Sequence, residues 1–146
     1  MEKVVVSGQI LKKLEKHALE SLPNECIGIF ECMFSNGRLE ITETYECKNV
    51  AIDKKHGALL TKRDMRFFNK KRIPLERHNI FYGVYHSHPV SGDLILSPQD
   101  KHSAKFYKMF RIQLILGIKK NVVRMIFWRK KPKIWRKAKL IKIGQT

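Results

Sequence analysis

Residues 83–89 read GVYHSHP and residues 97–100 read SPQD, and these two short stretches decide how the chain is interpreted. The first ends an apolar and aromatic run that begins at Ile80, which is typical of a buried strand. The second has a serine, then a proline, and an acid three residues after the serine, which is typical of a helix start. The sequence therefore predicts a strand, a loop over residues 90–96 and a helix that runs to about residue 108.

His86 and His88 lie two residues apart at the end of this predicted strand. Because side chains alternate along a strand, both imidazole rings project from one face, where they could fill two positions of a tetrahedral zinc site. The pair alone is a weak indication, since two histidines at a strand end are more often surface residues. Asp100 could supply a third ligand from the first helical turn. It could also cap the helix with Ser97, and its two oxygens make these roles compatible.

Three protein ligands with an open fourth position are typical of catalytic rather than structural zinc. The fourth ligand would be a water whose pKa the metal lowers to about 7. Such a site also needs a carboxylate outside the metal ligands to accept the proton of that water.

The two stretches, together with PNECIG at residues 23–28, resemble the signature of the JAMM (MPN+) zinc metalloproteases, over roughly residues 5–130. The resemblance implies one catalytic Zn²⁺ held by His86, His88 and Asp100. It further implies that Glu25 accepts the water proton and passes it to the leaving amine, and that Ser97 hydrogen-bonds the oxyanion. Read without the resemblance, Glu25 would be a solvated loop carboxylate and Ser97 a helix cap.

One loop departs from the family pattern. Residues 90–96 contain one residue more than the family usually has between the second histidine and the serine. A loop absorbs one residue at little cost, provided that the helix start keeps its place. If the insertion displaced Asp100, Asp93 would be the substitute ligand.

The resemblance implies a JAMM/MPN (cytidine-deaminase-like) fold, and the rest of the pattern is also α+β. We predict a helix over residues 9–22, a strand over 26–34, a hairpin turn at residues 35–37 and a strand over 39–47 with Leu39, Ile41, Tyr45 and Cys47 on one face. Residues 48–79 read as a variable insertion with a short helix at 64–69. Strands over 112–118, 122–128 and 134–143 follow. We expect one domain over residues 1–146, with a mixed central sheet flanked by helices and a basic C-terminal β-region over about 119–146.

The composition is strongly basic, with 30 Lys+Arg against 13 Asp+Glu and a formal net charge of +17. Such a charge attracts acidic partners. Three cysteines without a Cys-x-x-Cys pair favour reduced thiols. No signal peptide or membrane-spanning run is evident. We therefore expect a cytoplasmic protein without a membrane partner.

The function that the resemblance implies is an isopeptidase or peptidase. Its substrate would be the amide bond after the C-terminal tail of a ubiquitin-like or sulfur-carrier modifier, and residues 49–79 would hold that tail. Two alternatives remain open. One is a JAMM-like module that binds without cutting. The other is a nucleic-acid-associated protein, because residues 119–142 interleave basic side chains with Trp128 and Trp135. The Ser91-Gly92-Asp93 run that follows His-x-His-Pro resembles the RadC branch of the superfamily, which is associated with DNA.

Overall fold

The computed structural model describes residues 3–144. In chain order its elements are β1 (Lys3–Ser7), α1 (Gly8–Ser21), β2 (Ile27–Ser35), β3 (Arg38–Cys47), α2 (Lys62–Glu76), β4 (Ile80–His88), α3 (Pro98–Ser103), a 3₁₀ turn (Lys108–Arg111), β5 (Ile112–Lys119), β6 (Val122–Lys131), β7 (Ile134–Ala138) and β8 (Leu140–Ile143). The predicted α+β class and the mixed sheet with flanking helices are confirmed.

One eight-stranded sheet has the order β7-β6-β5-β4-β2-β3-β1-β8. β4 and β5 run parallel, as do β1 and its neighbours β3 and β8, whereas the other pairs are antiparallel. Ala138 pairs with Phe127 near one edge and Leu140 pairs with Val4 near the other. Only Lys139 lies between Ala138 and Leu140 in the chain, so the Cα atoms of Ala138 and Leu140 lie within about 8 Å of each other. The sheet therefore curls until its two edges are adjacent.

The hairpins have the turn chemistry that their sequences predict. Asn36 and Gly37 both have positive φ, as do Lys120 and Asn121. Two-residue turns of this kind match the twist of antiparallel strands. They fix the pairing of β2 with β3 and of β5 with β6, and the predicted turn at residues 35–37 is confirmed.

The sheet buries a separate apolar cluster on each face. α1 covers one face through Ile10, Leu14 and Ala18, which pack against residues such as Leu39 and Phe127. α2 covers the other face, where its Phe68 packs with a smaller set that comprises Ile27, Ile29, Leu60, Tyr82, Val84 and Met109. At about 25 cal/mol per Å² of apolar surface, these clusters are the main favourable contribution to folding.

The prediction that four residues of β3 share one face is wrong. The register between β2 and β3 shifts at Glu31/Cys32, so that Cys32 faces Ile41 while Glu31 faces Glu43. This β-bulge adds one residue to β3 relative to β2. Odd-numbered side chains of β3 therefore point to one face of the sheet before the bulge and to the opposite face after it. Leu39 and Ile41 consequently pack on the α1 side, and Tyr45 and Cys47 pack on the α2 side.

Three predicted boundaries are also wrong. The short helix expected at residues 64–69 is the 15-residue α2, in which only Phe68 is buried, so its apolar pattern is faint. The helix expected to reach residue 108 is the six-residue α3, followed by a 3₁₀ turn. The single strand expected over residues 134–143 is divided between β7 and β8, at opposite edges of the sheet. Among residues 3–144 no helix combines the length and apolar character needed to cross a membrane.

Candidate metal centre

The C-terminal end of β4 supplies two imidazoles on the same face of the sheet. His86 and His88 point to the α2 side of the sheet, and the intervening Ser87 points to the α1 side, where it is fully buried. The Nε2 atoms of the two histidines lie 3.1 Å apart. The sheet therefore holds both rings toward one point, as the His-x-His spacing predicts.

Asp100 reaches the same point from the start of α3. Its Oδ2 accepts the Ser97 N–H at 2.8 Å, and the Ser97 Oγ accepts the Asp100 N–H at 3.1 Å, which completes a capping box. The other oxygen, Oδ1, lies 3.4 Å from the His86 Nε2. One carboxylate thus serves the helix start and faces the histidines, so the two roles considered for Asp100 are compatible. Gln113 fixes this turn by donating to the Asp100 carbonyl at 3.0 Å.

His86, His88 and Asp100 could together hold a metal ion, because their ligand atoms all lie within 4.8 Å of one another. Two imidazole nitrogens and one carboxylate oxygen form a donor set that suits zinc. Burial alone would lower the pKa of His86, but the hydrogen bond and charge of Asp100 outweigh it and raise that pKa. Burial would raise the pKa of Asp100, but His86 lowers it on balance. Metal binding should therefore release a proton from this pair.

Asp93 is not a substitute ligand but lies behind His88. Its Oδ1 lies 2.9 Å from the His88 Nδ1, on the side of the ring away from His86. A carboxylate that accepts the Nδ1–H leaves the Nε2 unprotonated and fixes the ring orientation, as around many metal-bound histidines. The concern that the longer loop displaces Asp100 is resolved, since Asp100 keeps its place.

Contacts with β5 and β6 hold the longer loop over residues 90–96. The Arg124 guanidinium donates to the Gly92 carbonyl at 3.0 Å, and the Trp128 indole donates to the Leu94 carbonyl at 2.9 Å. Gly92 has φ +66°, and a Cβ on Gly117 would clash with the Gly92 carbonyl. The extra residue is thus accommodated in a fixed turn that rests on a glycine.

Glu25 lies just before β2 and reaches the same cavity as the histidines. The Cys26 N–H donates to the Ser87 Oγ at 2.8 Å, and the Ser87 N–H donates to the Cys26 carbonyl at 3.2 Å. These bonds fasten the residue after Glu25 to the middle of the His-x-His stretch. Only 8% of Glu25 is exposed. Burial, together with a smaller effect of Asp100, raises its pKa to about 7, although His86 opposes the shift.

Asn49 is a site residue that the sequence did not reveal. Its Nδ2 donates to the carbonyls of Glu25 and Gly57, both at 3.0 Å. Its Oδ1 accepts the N–H groups of Ala51 and Leu59 at 3.0 and 3.1 Å. One side chain thus ties the loop over residues 49–60 to Glu25. A lone asparagine in a polar stretch gives no signal of this, whereas Gln113, the one polar residue in the apolar run over residues 112–118, could have been noticed.

A cavity of about 520 Å³ opens above these residues. Its floor includes Glu25, His86, His88, Ser97 and Asp100. Residues 56–60 and one face of α2 form its walls. The open side of the three candidate ligands therefore faces a space large enough for part of a peptide.

The family model of prokaryotic homologs of the JAB domain matches residues 7–131. The chain belongs to the prokaryotic JAB-domain family. The match includes every residue of the candidate metal centre, and the JAB-domain family includes metalloproteases. Membership supports the JAB/MPN relationship that the motifs indicate, while the activity of this chain is a separate question.

Two solved structures have a similar fold. The solution structure of protein DSY2949 from Desulfitobacterium hafniense superposes with a TM-score of 0.71 at 16% identity, covering 97% of this chain and 94% of that one. A solution structure of a protein from Salinibacter ruber superposes with a TM-score of 0.59 at 15% identity, covering 98% and 92%. At these identities the likeness shows the JAB-like fold alone. The comparison with curated proteins gave no match.

Proposed function

We propose that this JAB-domain protein is a zinc-dependent isopeptidase or peptidase that hydrolyses the amide bond after the C-terminal tail of a ubiquitin-like or sulfur-carrier modifier. One observation carries the proposal. Two imidazoles and a carboxylate converge at the floor of a cavity that also contains a buried glutamate whose pKa is about 7. This is the set of groups that metal-assisted hydrolysis requires.

Glu25 is the general base in this proposal. A carboxyl group with a pKa near the operating pH accepts a proton readily and can return it, and the pKa of Glu25 lies near 7 because the side chain is buried. Glu25 would take the proton of the attacking water and deliver it to the departing amine. The hydrogen bond from Asn49 to the Glu25 carbonyl keeps the residue in place.

Ser97 is the proposed oxyanion donor. Its Oγ lines the cavity and accepts the Asp100 N–H, and its hydroxyl also interacts with the Asp100 carboxylate, so it would turn from that carboxylate to donate to an oxyanion. When bound, zinc would lower the pKa of a coordinated water and polarise the scissile carbonyl. His86, His88 and Asp100 would hold the ion, and Asp93 would keep His88 in the tautomer that binds it.

Residues 57–60 are the proposed binding segment for the substrate tail. Leu59 uses both of its backbone groups inside the loop, because its N–H donates to the Asn49 Oδ1 and its carbonyl accepts the Val50 N–H. Ala58 and Leu60 form no hydrogen bond with any residue in the range 3–144. Backbone groups alternate between the two edges of an extended segment, so those of Ala58 and Leu60 are available to an incoming strand.

The test combines metal binding with cleavage. Purified protein is loaded with zinc and incubated with an isopeptide-linked substrate that carries a Gly-Gly tail. We expect turnover to fall by about 10³-fold or more in Glu25→Gln with zinc binding retained, and both zinc binding and turnover to be lost in His88→Ala. Glu15→Gln, which removes an exposed carboxylate from α1, should match the wild type. If the protein bound zinc but cleaved no such substrate, the proposed hydrolysis would be wrong and the protein would be a binding module.

A nucleic-acid partner is a second candidate because of the surface formed by β6 and β7. Among residues 3–144, the cationic side chains that line a cavity of about 470 Å³ there are Arg129, Lys131, Arg136 and Lys137, and no acidic side chain of that range lines it. A cationic groove of this kind suits a phosphate backbone. Retardation of single-stranded DNA that weakens steeply with salt, and that is lost in Arg136→Glu/Lys137→Glu, would support this candidate. Unchanged mobility at low salt would exclude it.

A further inference from the structure

α2 presents two cations to the cavity that contains the candidate metal centre. Lys62 and Arg66 both line this cavity. They are four residues apart and so lie on one face of the helix. Neither side chain forms an ion pair or hydrogen bond with any residue between 3 and 144. By contrast, Arg72 of the same helix is paired with Glu76 at 3.1 Å.

The charges in the cavity leave these two cations uncompensated. Within the described range 3–144, Glu25 and Asp100 are the acidic side chains in its lining. Asp100 is directed at His86 and at the start of α3, and neither Glu25 nor Asp100 forms an ion pair with Lys62 or Arg66. A divalent ion at the metal centre would balance both carboxylates even when Glu25 is ionised. The wall formed by α2 is therefore positive, and a cavity with low-dielectric walls concentrates such a field.

We propose that Lys62 and Arg66 recognise a carboxylate of the substrate, so that the cleaved tail carries an acidic side chain before its terminal glycines. The inference rests on the proposed function and adds the substrate class. Residues 57–60, Lys62 and Arg66 line one cavity, so a tail that pairs with residues 57–60 lies within the same cavity as the two cations. A guanidinium can hold a carboxylate by two parallel hydrogen bonds, and the ammonium adds a point charge.

The same pair would discriminate against basic tails. A lysine or arginine at this position of the tail would meet two like charges inside the cavity. Specificity arises both from favourable contacts with the right partner and from like-charge contacts that disfavour the wrong one. This protein would consequently prefer modifiers whose tails are acidic over those with arginine-rich tails.

The experiment measures binding separately from cleavage. Zinc-loaded Glu25→Gln protein is titrated into fluorescein-labelled tail peptides that differ only in having Glu, Gln or Lys before the Gly-Gly, each as a C-terminal amide. We expect the Glu peptide to bind about fivefold more tightly than the Gln peptide and the Lys peptide to bind more weakly. In Lys62→Glu/Arg66→Glu the order should reverse. A Gln peptide with a free C-terminal carboxylate tests whether that group is the one recognised instead.

Arg63→Glu/Lys70→Glu is the matched control, because it changes the same charge on exposed residues of α2 that do not line the cavity. It should retain the preference for Glu. Three results would overturn the proposal. The Glu and Gln peptides could bind with equal affinity, both double variants could lose the preference equally, or only the C-terminal carboxylate could be recognised. A preference for Glu in a protein that cleaves nothing would refute the isopeptidase function while leaving the carboxylate site intact.

Discussion

Glu25 and Asp93 are both carboxylates near the candidate metal ligands, and their surroundings give them different chemistry. Glu25 is buried beside His86 and Asp100, so its pKa is raised to about 7. Burial acts to raise the pKa of Asp93, but hydrogen bonds with Ser91 and the Ile95 N–H, together with His88, lower it on balance. One is suited to exchange a proton near neutral pH, and the other to remain ionised and orient a histidine.

Replacing Glu25 with glutamine should change the pH dependence of stability. The pKa of Glu25 is about 7 in the folded protein against an ordinary 4.5, so the folded state binds the proton more tightly and the free energy of unfolding falls as pH rises through 7. Glutamine cannot ionise. We expect the free energy of unfolding of metal-free Glu25→Gln to exceed that of the wild type by about 1–2 kcal/mol at pH 8 and to match it near pH 4, where the Glu25 carboxyl is mostly protonated in both states. Urea unfolding with a chelator measures this, and an equal gap at both pH values would contradict it.

Replacing Asp93 with asparagine should weaken zinc binding without abolishing it. The loss of a carboxylate behind a metal-bound histidine typically costs 10–100-fold in affinity, and we expect a loss in that range from competition with a chromophoric chelator. Asp53→Asn is the control, because Asp53 makes the same 2.9 Å contact with His56, which is not a candidate ligand. Unchanged affinity would remove the orienting role, and complete loss would make Asp93 a ligand.

At the scale of elements, the sequence predicts what local patterns encode. The alternation in β4, the Ser-Pro start of α3 and the Asn-Gly turn all lie where their residues indicate. α2 was largely missed because it covers a small cluster with Phe68 while its remaining residues are mostly polar and exposed. The prediction of which β3 side chains share a face was wrong because it assumed unbroken alternation. The β-bulge opposite Glu31 and Cys32 arises from the pairing of β3 with β2, and an alternating pattern within β3 gives no sign of it.

The segment over residues 57–60 yields a prediction about tail binding. Ala58→Pro removes one free N–H with little change in side-chain volume. Ala58→Val keeps the N–H and adds more side-chain volume than proline does, so it controls for bulk. If the tail pairs with this segment, kcat/KM should fall about tenfold in Ala58→Pro and little in Ala58→Val, with melting temperatures close to the wild type. Proline at Leu59 would be less informative, since it would break the bond that Leu59 donates to Asn49. Full activity in Ala58→Pro would exclude pairing through this group.

At the scale of the molecule, the curled sheet brings the parts of the centre together from distant stretches of sequence. β4 lies between β2 and β5, so Glu25 before β2 lies beside His86, and Gln113 of β5 reaches the α3 turn that contains Asp100. The motifs predicted which residues meet because they resemble a known signature. The closure of the sheet by β7 and β8 was not predictable, since it depends on a one-residue connection between opposite edges.

The net charge of +17 belongs to this same scale and predicts how a substrate protein arrives. Long-range attraction accelerates the association of oppositely charged proteins, and salt screens it over a Debye length of about 10 Å at 0.1 M. For an acidic modifier conjugate we expect kcat/KM to fall severalfold between about 50 and 300 mM NaCl, with kcat nearly constant. A short uncharged Gly-Gly peptide should show little change, because it presents no opposite field. Equal salt dependence for both substrates would mean that salt acts on the catalytic centre and not on the encounter.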